Sequence, residues 1–376
     1  MSFSSHAIFA PMNLQDFDYI LPADRIAQRP LARRDASRML ELDKNTGNFR
    51  DSHFADLPAR MRSDELVVMN NARVIPARLF AHRQGGSPDR PVETAMERGL
   101  LPGRIELLLV RRLHDDLWEA LVRPGRKVRS GDRLRIEGEE LQAEVVGRGL
   151  YGLRQIQFRG ASDVLSAIER AGHVPLPPYI RRNDEPADQR RYQTVYATRP
   201  VAVAAPTAGL HFTRQTLQEI RARGAEICEI TLEVGLGTFQ PIRVEDLTQH
   251  SMHSEAYEIP VAAARAISEA RRARRPILAV GTTVVRALED AAEKAVARGG
   301  QPDEVAAGRA EAAIFIRPGH RFALVDQLLT NFHLPRSTLL VLVAAFAGRE
   351  AVLSAYRHAM AQGYRFYSYG DCMLIR

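Results

Sequence analysis

The sequence predicts an α/β main domain carrying an inserted antiparallel β-barrel-like domain. Three observations carry this. From about Glu65 to Gly160 the chain reads as successive short strands, punctuated by turn signals such as Pro124-Gly125 and Gly131-Asp132. After Gly160, helices and strands alternate, which is α/β organisation. The length of 376 residues favours two domains, and a content of 45% hydrophobic and 26% charged residues buries a sizeable core. The expected division is residues 1–64 with 161–376 as the main domain and 65–160 as the insertion.

The elements follow in order. A strand is expected near Met39, after a proline-broken, Arg-rich opening. "ELVVMNNARVIPARLF", "RIELLLVRRL", "LWEALVRP", "DRLRIEG", "LQAEVVGRG" and "LRQIQFRG" supply the strands of the insertion, with Gln84 to Gly103 as a loop excursion. "SDVLSAIERAG" reads as a helix capped by Ser162, and Thr213 caps "RQTLQEIRARG", which ends at a Gly stop. Further strands are expected over Val201 to Ala205, Glu226 to Val234, Ile277 to Gly281, Ala312 to Ile316 and near Cys372, with helices over Thr283 to Arg298 and Ser337 to Ala347.

Composition excludes several classes. The longest wholly apolar run, "LLVLVAAFAG" from Leu339, is about half of the roughly 20 residues a membrane crossing needs. The N-terminus lacks a basic segment followed by an apolar core, so a cytoplasmic location is expected. Two distant cysteines, Cys228 and Cys372, fit a reducing compartment, and no Asp, Glu or His cluster has metal spacing, so no metal is expected. Net charge is +7 and almost wholly arginine, since lysine occurs only at Lys44, Lys127 and Lys294. That makes Schiff-base chemistry less suited to the chain, and it permits nucleic-acid binding without establishing it.

The chemistry-bearing stretches follow apolar strands. "APTAGLHFT" holds Pro206, Thr207, Gly209 and His211, all surplus to a turn that Thr213 already caps. "LEVGLGTFQPIR" places Gly235, Gly237 and Thr238 at a strand end; its G-x-G lacks the third glycine of a dinucleotide fingerprint. "AVGTTVVRALE" puts Gly281, Thr282 and Thr283 at a helix start, where free N–H groups suit a carboxylate or ribose hydroxyl unless Thr282 merely caps the helix. Asn331 and His333 lie in "TNFHLPRSTLL", with Ser337 as the next cap. "HSMHSEAYEIP" sets His253 and Glu255 on one face if extended, as a base and its orienting carboxylate or as a solvated edge. Asn71 and Arg73 can read a base edge or hold a carboxylate. The aromatics of "GYRFYSYGDCMLI", Tyr369 among them, can stack bases or pack a core.

Taken together, "FDYILPADRIAQRP", "NNARVIPARL", "APTAGLHFT", "LEVGLGTFQPIR", "HSMHSE", "VGTTVVRALE", "LLTNFHLPRSTLL" and "YSYGDCMLI" resemble one family, the S-adenosylmethionine:tRNA ribosyltransferase-isomerases of queuosine biosynthesis. The match runs in order over nearly the whole chain; the loop "RQGGSPDRPVETAMERGLLPG" falls outside it and looks longer than expected.

The resemblance implies that S-adenosylmethionine is a consumed substrate and ribosyl donor, with no separate cofactor. Its ribosyl portion passes to the aminomethyl group of 7-aminomethyl-7-deazaguanine at the tRNA wobble position. Adenine and methionine leave, and the sugar rearranges to give epoxyqueuosine. A base is then needed near the carbon that the sulfonium acidifies, and a histidine of near-neutral pKa suits it. His211 is the first choice, His253 and His333 the reserves. Glu233 would orient the amine, and Thr207, Thr282 and Thr283 would hold ribose hydroxyls or the methionine carboxylate. Gly209 would let the donor lie on the backbone. Arg33, Arg34, Arg181, Arg182, Arg190 and Arg191 are candidates for tRNA phosphates, or else an Arg-rich solvated surface. A monomer is expected. The competing readings are an ordinary methyltransferase, which would leave S-adenosylhomocysteine and no free adenine, and a non-catalytic RNA-binding protein.

Overall fold

The computed structural model describes residues 12–84, 103–149, 152–233, 235, 242, 244–250, 252 and 254–376. In chain order come β1 (Arg38–Leu42), β2 (Phe49–His53), β3 (Leu66–Asn70), β4 (Ala72–Val74), β5 (Arg78–Gln84), β6 (Ile105–Arg112), β7 (Leu117–Arg123), β8 (Arg133–Ile136), β9 (Gln142–Arg148) and β10 (Arg154–Arg159). Then follow α1 (Val164–Ala171), β11 (Arg199–Ala202), α2 (Arg214–Ala222), β12 (Glu226–Leu232), β13 (Glu255–Ile259), α3 (Val261–Arg272), β14 (Ile277–Val280) and α4 (Thr282–Ala297). Last are β15 (Gly308–Ala312), β16 (Gln327–Asn331), α5 (Thr338–Ala347), α6 (Arg349–Ala361) and β17 (Cys372–Ile375).

Strands β5 to β10 close an antiparallel barrel in the order β10-β7-β6-β5-β8-β9. Their residues alternate between buried and exposed, so one face fills the barrel and the other meets solvent. Helix α1 packs onto this barrel core through Val164, Ala167 and Ile168. Its N-cap is Asp163 and not the expected Ser162: the Asp163 carboxylate accepts from Leu165 N and Ser166 N at 3.0 and 3.2 Å.

The main domain is a nine-stranded sheet in the order β15-β13-β12-β3-β14-β16-β17-β1-β2. Its middle, β12-β3-β14-β16, is parallel. The expected insertion boundary at residue 65 is therefore corrected, because β3 is a central strand of the large sheet. All five of its residues, "LVVMN", are buried, the signature of a strand covered on both faces. Alternation begins only at Arg78, so the barrel spans Arg78–Arg159. The expected strand over Ala312 to Ile316 also shifts. Pairing with β13 runs over Gly308–Ala312, while Ile316 enters the core as irregular backbone.

One face of the sheet is covered by α3, α4 and α5, whose apolar residues join Leu66, Val68, Ile230 and Ala279 in the main core. A buried aromatic group beneath the site, Phe332, Tyr356, Tyr364 and Phe366, packs with ring centroids 4.8 to 6.0 Å apart. No single helix among the described residues is long and apolar enough to cross a membrane.

Candidate active site

Open parallel sheets bind ligands beyond the carboxyl ends of their strands, and this sheet has a cleft there. It is open to solvent, and its empty space, counted out into that solvent, is about 730 Å³. Its floor comes from the ends of β14 and β16, its sides from the turn after β11 and from the Tyr367-Ser368 segment. Of the expected binding residues, Thr207, Gly281, Thr282, Thr283 and Asn331 line it, as does His333. No arginine, lysine or carboxylate lines it among the described residues; its polar groups are hydroxyls, one amide, one imidazole and backbone.

Gly281 caps α4 with φ of 97°, a conformation that L side chains rarely adopt. Thr282 is thus the first helical residue and not the cap. Val284 N bonds back to Gly281 O at 3.1 Å, and the N–H groups of Thr282 and Thr283, in the first turn, have no acceptor among the described residues.

His333 lines the cleft with Nε2 placed 2.8 Å from Thr330 Oγ1. Its backbone is pinned by Tyr356, whose hydroxyl accepts from His333 N at 3.0 Å, and by Tyr19, which donates to His333 O. Its Nδ1 has no partner among the described residues. His211 is placed differently. It is 3% exposed and behind the cleft, with Nδ1 2.9 Å from Ser37 Oγ and Nε2 3.1 Å from Asn331 Nδ2. Asn331 Nδ2 also donates to Tyr367 O at 3.2 Å, which fixes the amide so that Oδ1 stays buried without a partner. The geometry makes His211 a support for Asn331.

Burial pushes His333 down to about 3. His211 falls to about 3 as well, through burial and then the positive Arg34 and Arg365. The expectation of a near-neutral pKa is therefore corrected: both imidazoles are neutral at pH 7. The unfolded chain takes up these protons near pH 6.5 while the folded chain refuses them, so the stability they represent is complete above that pH and lost as pH falls towards 3. Each contributes about 2 kcal/mol of lost stability at pH 5 relative to pH 7. Urea unfolding at the two pH values checks this; equal midpoints would contradict it.

Other expected residues lie elsewhere. Asn71 is satisfied internally, by Glu229 at 3.2 Å and Thr231 at 2.7 Å, and Arg73 pairs with Glu169 of α1. Tyr369 donates to Asp188 at 2.8 Å. Glu233 pairs with Arg309 at the β15 edge of the sheet, away from the cleft lining. Gly209 does not lie under a ligand. A Cβ there would meet the Tyr196 hydroxyl at 2.1 Å, so its smallness serves packing. Gly235 lies beyond β12 and outside the lining. Gly237, Thr238 and His253 fall outside the described residues.

Among the arginines, Arg34 donates to the carbonyls of Leu210 and Arg190 at 3.1 and 2.7 Å, Arg182 clasps Asp188 at 2.6 and 2.8 Å, and Arg191 donates to Leu31 and Ala32 at 2.7 Å. These three hold the fold together. Arg33 is exposed but paired with Asp35 at 3.1 Å, while Arg181 and Arg190 are exposed with side chains free of ion pairs among the described residues.

Sequence reasoning missed Tyr179, Thr330 and Ser368, and it named Tyr367 only as one of the aromatics of "GYRFYSYGDCMLI". Tyr179 and Tyr367 pack with ring centroids 4.6 Å apart and planes tilted by 37°, and Tyr179 Oη lies 2.7 Å from Ser368 Oγ. Tyr367 has φ of 70°, a strained conformation of the kind that concentrates at functional sites. The "YSYGD" run was the available signal.

A family model described as queuosine biosynthesis protein matches residues 14–375. The chain belongs to that family. Its relatives include the S-adenosylmethionine:tRNA ribosyltransferase-isomerase of Solibacter usitatus, 48% identical over 97% of this chain and 100% of that one. The protein of the same name from Citrifermentans bemidjiense is 47% identical over the same shares. A solved S-adenosylmethionine tRNA ribosyltransferase from Thermotoga maritima is 35% identical, with a TM-score of 0.51, over 96% of this chain and 100% of its own. The family match over residues 14–375 includes every residue that lines the cleft.

Proposed function

We propose that the protein transfers and isomerises the ribosyl moiety of S-adenosylmethionine onto 7-aminomethyl-7-deazaguanine at the tRNA wobble position. The products are epoxyqueuosine, adenine and methionine, and the enzyme acts as a cytoplasmic monomer with no cofactor beyond the consumed donor. The observation that carries the reading is the cleft itself: neutral, rich in hydroxyls and unpaired donors and acceptors, and built from the family's own motifs.

Each part of the donor has a counterpart. The free N–H groups of Thr282 and Thr283 suit the methionine carboxylate at the positive end of α4. Tyr179 and Tyr367 offer aromatic surface to adenine. Asn331 Oδ1, unpaired and buried, accepts from a donor on the nucleoside, because an unmet buried acceptor is costly until filled. A lining free of cations among the described residues avoids repelling the sulfonium.

His333 moves the proton. In that role Nε2–H donates to Thr330 Oγ1 and Nδ1 carries the free lone pair. A neutral imidazole is ready to take the proton from the carbon beside the sulfonium. Its depressed pKa makes it a weak base but makes the resulting imidazolium a strong acid, able to protonate the departing adenine. One group thereby serves both half-steps.

The test is mass spectrometry of released bases and digested nucleosides, after incubation with S-adenosylmethionine and tRNA carrying 7-aminomethyl-7-deazaguanine. Adenine and methionine together with epoxyqueuosine are expected. A methylated base with S-adenosylhomocysteine, or tRNA binding without loss of S-adenosylmethionine, would overturn the reading.

A further inference from the structure

Arginines on this protein mostly have partners, but one end of the barrel departs from that pattern. Strand β5 leaves the main domain at Arg78, which bridges to His173, and β10 returns to it through Arg159 and α1. The opposite ends of the strands gather at the far mouth. The registers place them there: Gln84 lies beside Arg133, and Arg154 lies beside both Arg148 and Ala120. The seven residues of β5 set this mouth roughly 20 Å beyond the root of the barrel.

Residues 124–132 cross the mouth between β7 and β8. Two guanidiniums hold the crossing from below: Arg154 donates to Gly125 O at 3.1 Å, and Arg83 donates to Lys127 O and to Asp132 at 2.8 Å. Above them stand Arg123, Arg126, Lys127, Arg129, Arg133 and Arg148, all exposed. None of their side chains has an ion pair or hydrogen bond among the described residues. The carboxylates nearby are engaged elsewhere: Asp132 is buried on Arg83, Glu106 pairs with Arg78 at 3.2 Å, and Glu144 with Arg159 at 3.6 Å.

We infer that this mouth binds the phosphate backbone of the substrate tRNA at a point away from the nucleotide being modified. The inference rests on the proposed function for the identity of the nucleic acid. Its own content is the place of contact, which lies on the barrel and not on the Arg34, Arg182 and Arg191 side chains spent inside the main domain. Six cations with no ion pair among the described residues, spread over a loop and three strand ends, match a row of phosphates, and they position the RNA without reading its sequence. The barrel thus becomes a second grip on an RNA whose wobble nucleotide enters the cleft.

The test is the triple charge reversal Arg126→Glu, Lys127→Glu, Arg129→Glu, which leaves intact the carbonyl bonds that anchor the loop. KM for tRNA should rise about tenfold or more at low salt, while kcat at saturating tRNA and KM for S-adenosylmethionine stay within about twofold. The slope of log KM for tRNA against log salt should flatten by about 2. The triple Gln variant should give the same changes at smaller size, which guards against a folding defect from reversed charge. Unchanged KM and slope in a variant that still turns over would overturn this inference alone. A wild-type protein that releases no adenine with tRNA present would instead overturn the proposed function.

Discussion

Replacing His333 by Gln lowers kcat for ribosyl transfer by about 10²- to 10⁴-fold, with KM for S-adenosylmethionine little changed. Gln keeps a polar side chain against Thr330, so the backbone bonds from Tyr19 and to Tyr356 remain, and what is lost is the proton carrier. Near-normal turnover would remove His333 from the mechanism. His211→Ala gives the contrast. His211 acts through Asn331, so its loss frees the amide to rotate and shows mainly as a rise in KM for the donor. Because both imidazoles are held near a pKa of 3, kcat in the wild type should show no break near pH 6.5.

Glu255→Ala costs about 3–5 kcal/mol of stability, read as a fall in the urea midpoint. The sequence offered this carboxylate as the orienting partner of His253. In the structure it faces Arg286 of α4 at 2.6 Å, with the two side chains 6% and 3% exposed. Removing the carboxylate takes a buried charge partner from the guanidinium, which also donates to the carbonyls of Ala312 and Ile314 at 3.2 and 3.3 Å. The protein that remains folded should turn over at the wild-type rate. A catalytic loss with unchanged stability would return Glu255 to the mechanism.

Both predictions turn on the difference between what local sequence encodes and what tertiary contact decides. The barrel was legible because alternation along a strand records which face is wet. The place of β3 was misjudged: its unbroken apolar run records two covered faces, but its short neighbours disguised it. The cleft was legible as polar, Gly-rich sequence after apolar strands, and Gly281, Thr282, Thr283, Asn331 and His333 do meet there. Which of His211 and His333 lines the cleft was not legible. Both sit in loops beside strand ends, and only the partners Ser37 and Asn331, 174 and 120 residues away along the chain, consume both nitrogens of one. The arginines fail for a similar reason. Long side chains in doublets look alike in sequence whether they reach solvent, as Arg181 does, or a buried carboxylate, as Arg182 does.

The most direct test of the account is a crystal structure of the protein with S-adenosylmethionine bound. The donor should lie at the carboxyl ends of β14 and β16: its carboxylate on the N–H groups of Thr282 and Thr283, a nucleoside donor on Asn331 Oδ1, and His333 Nδ1 beside the ribosyl carbon next to sulfur. A donor bound elsewhere, or one whose ribosyl carbon faces away from His333, would contradict it.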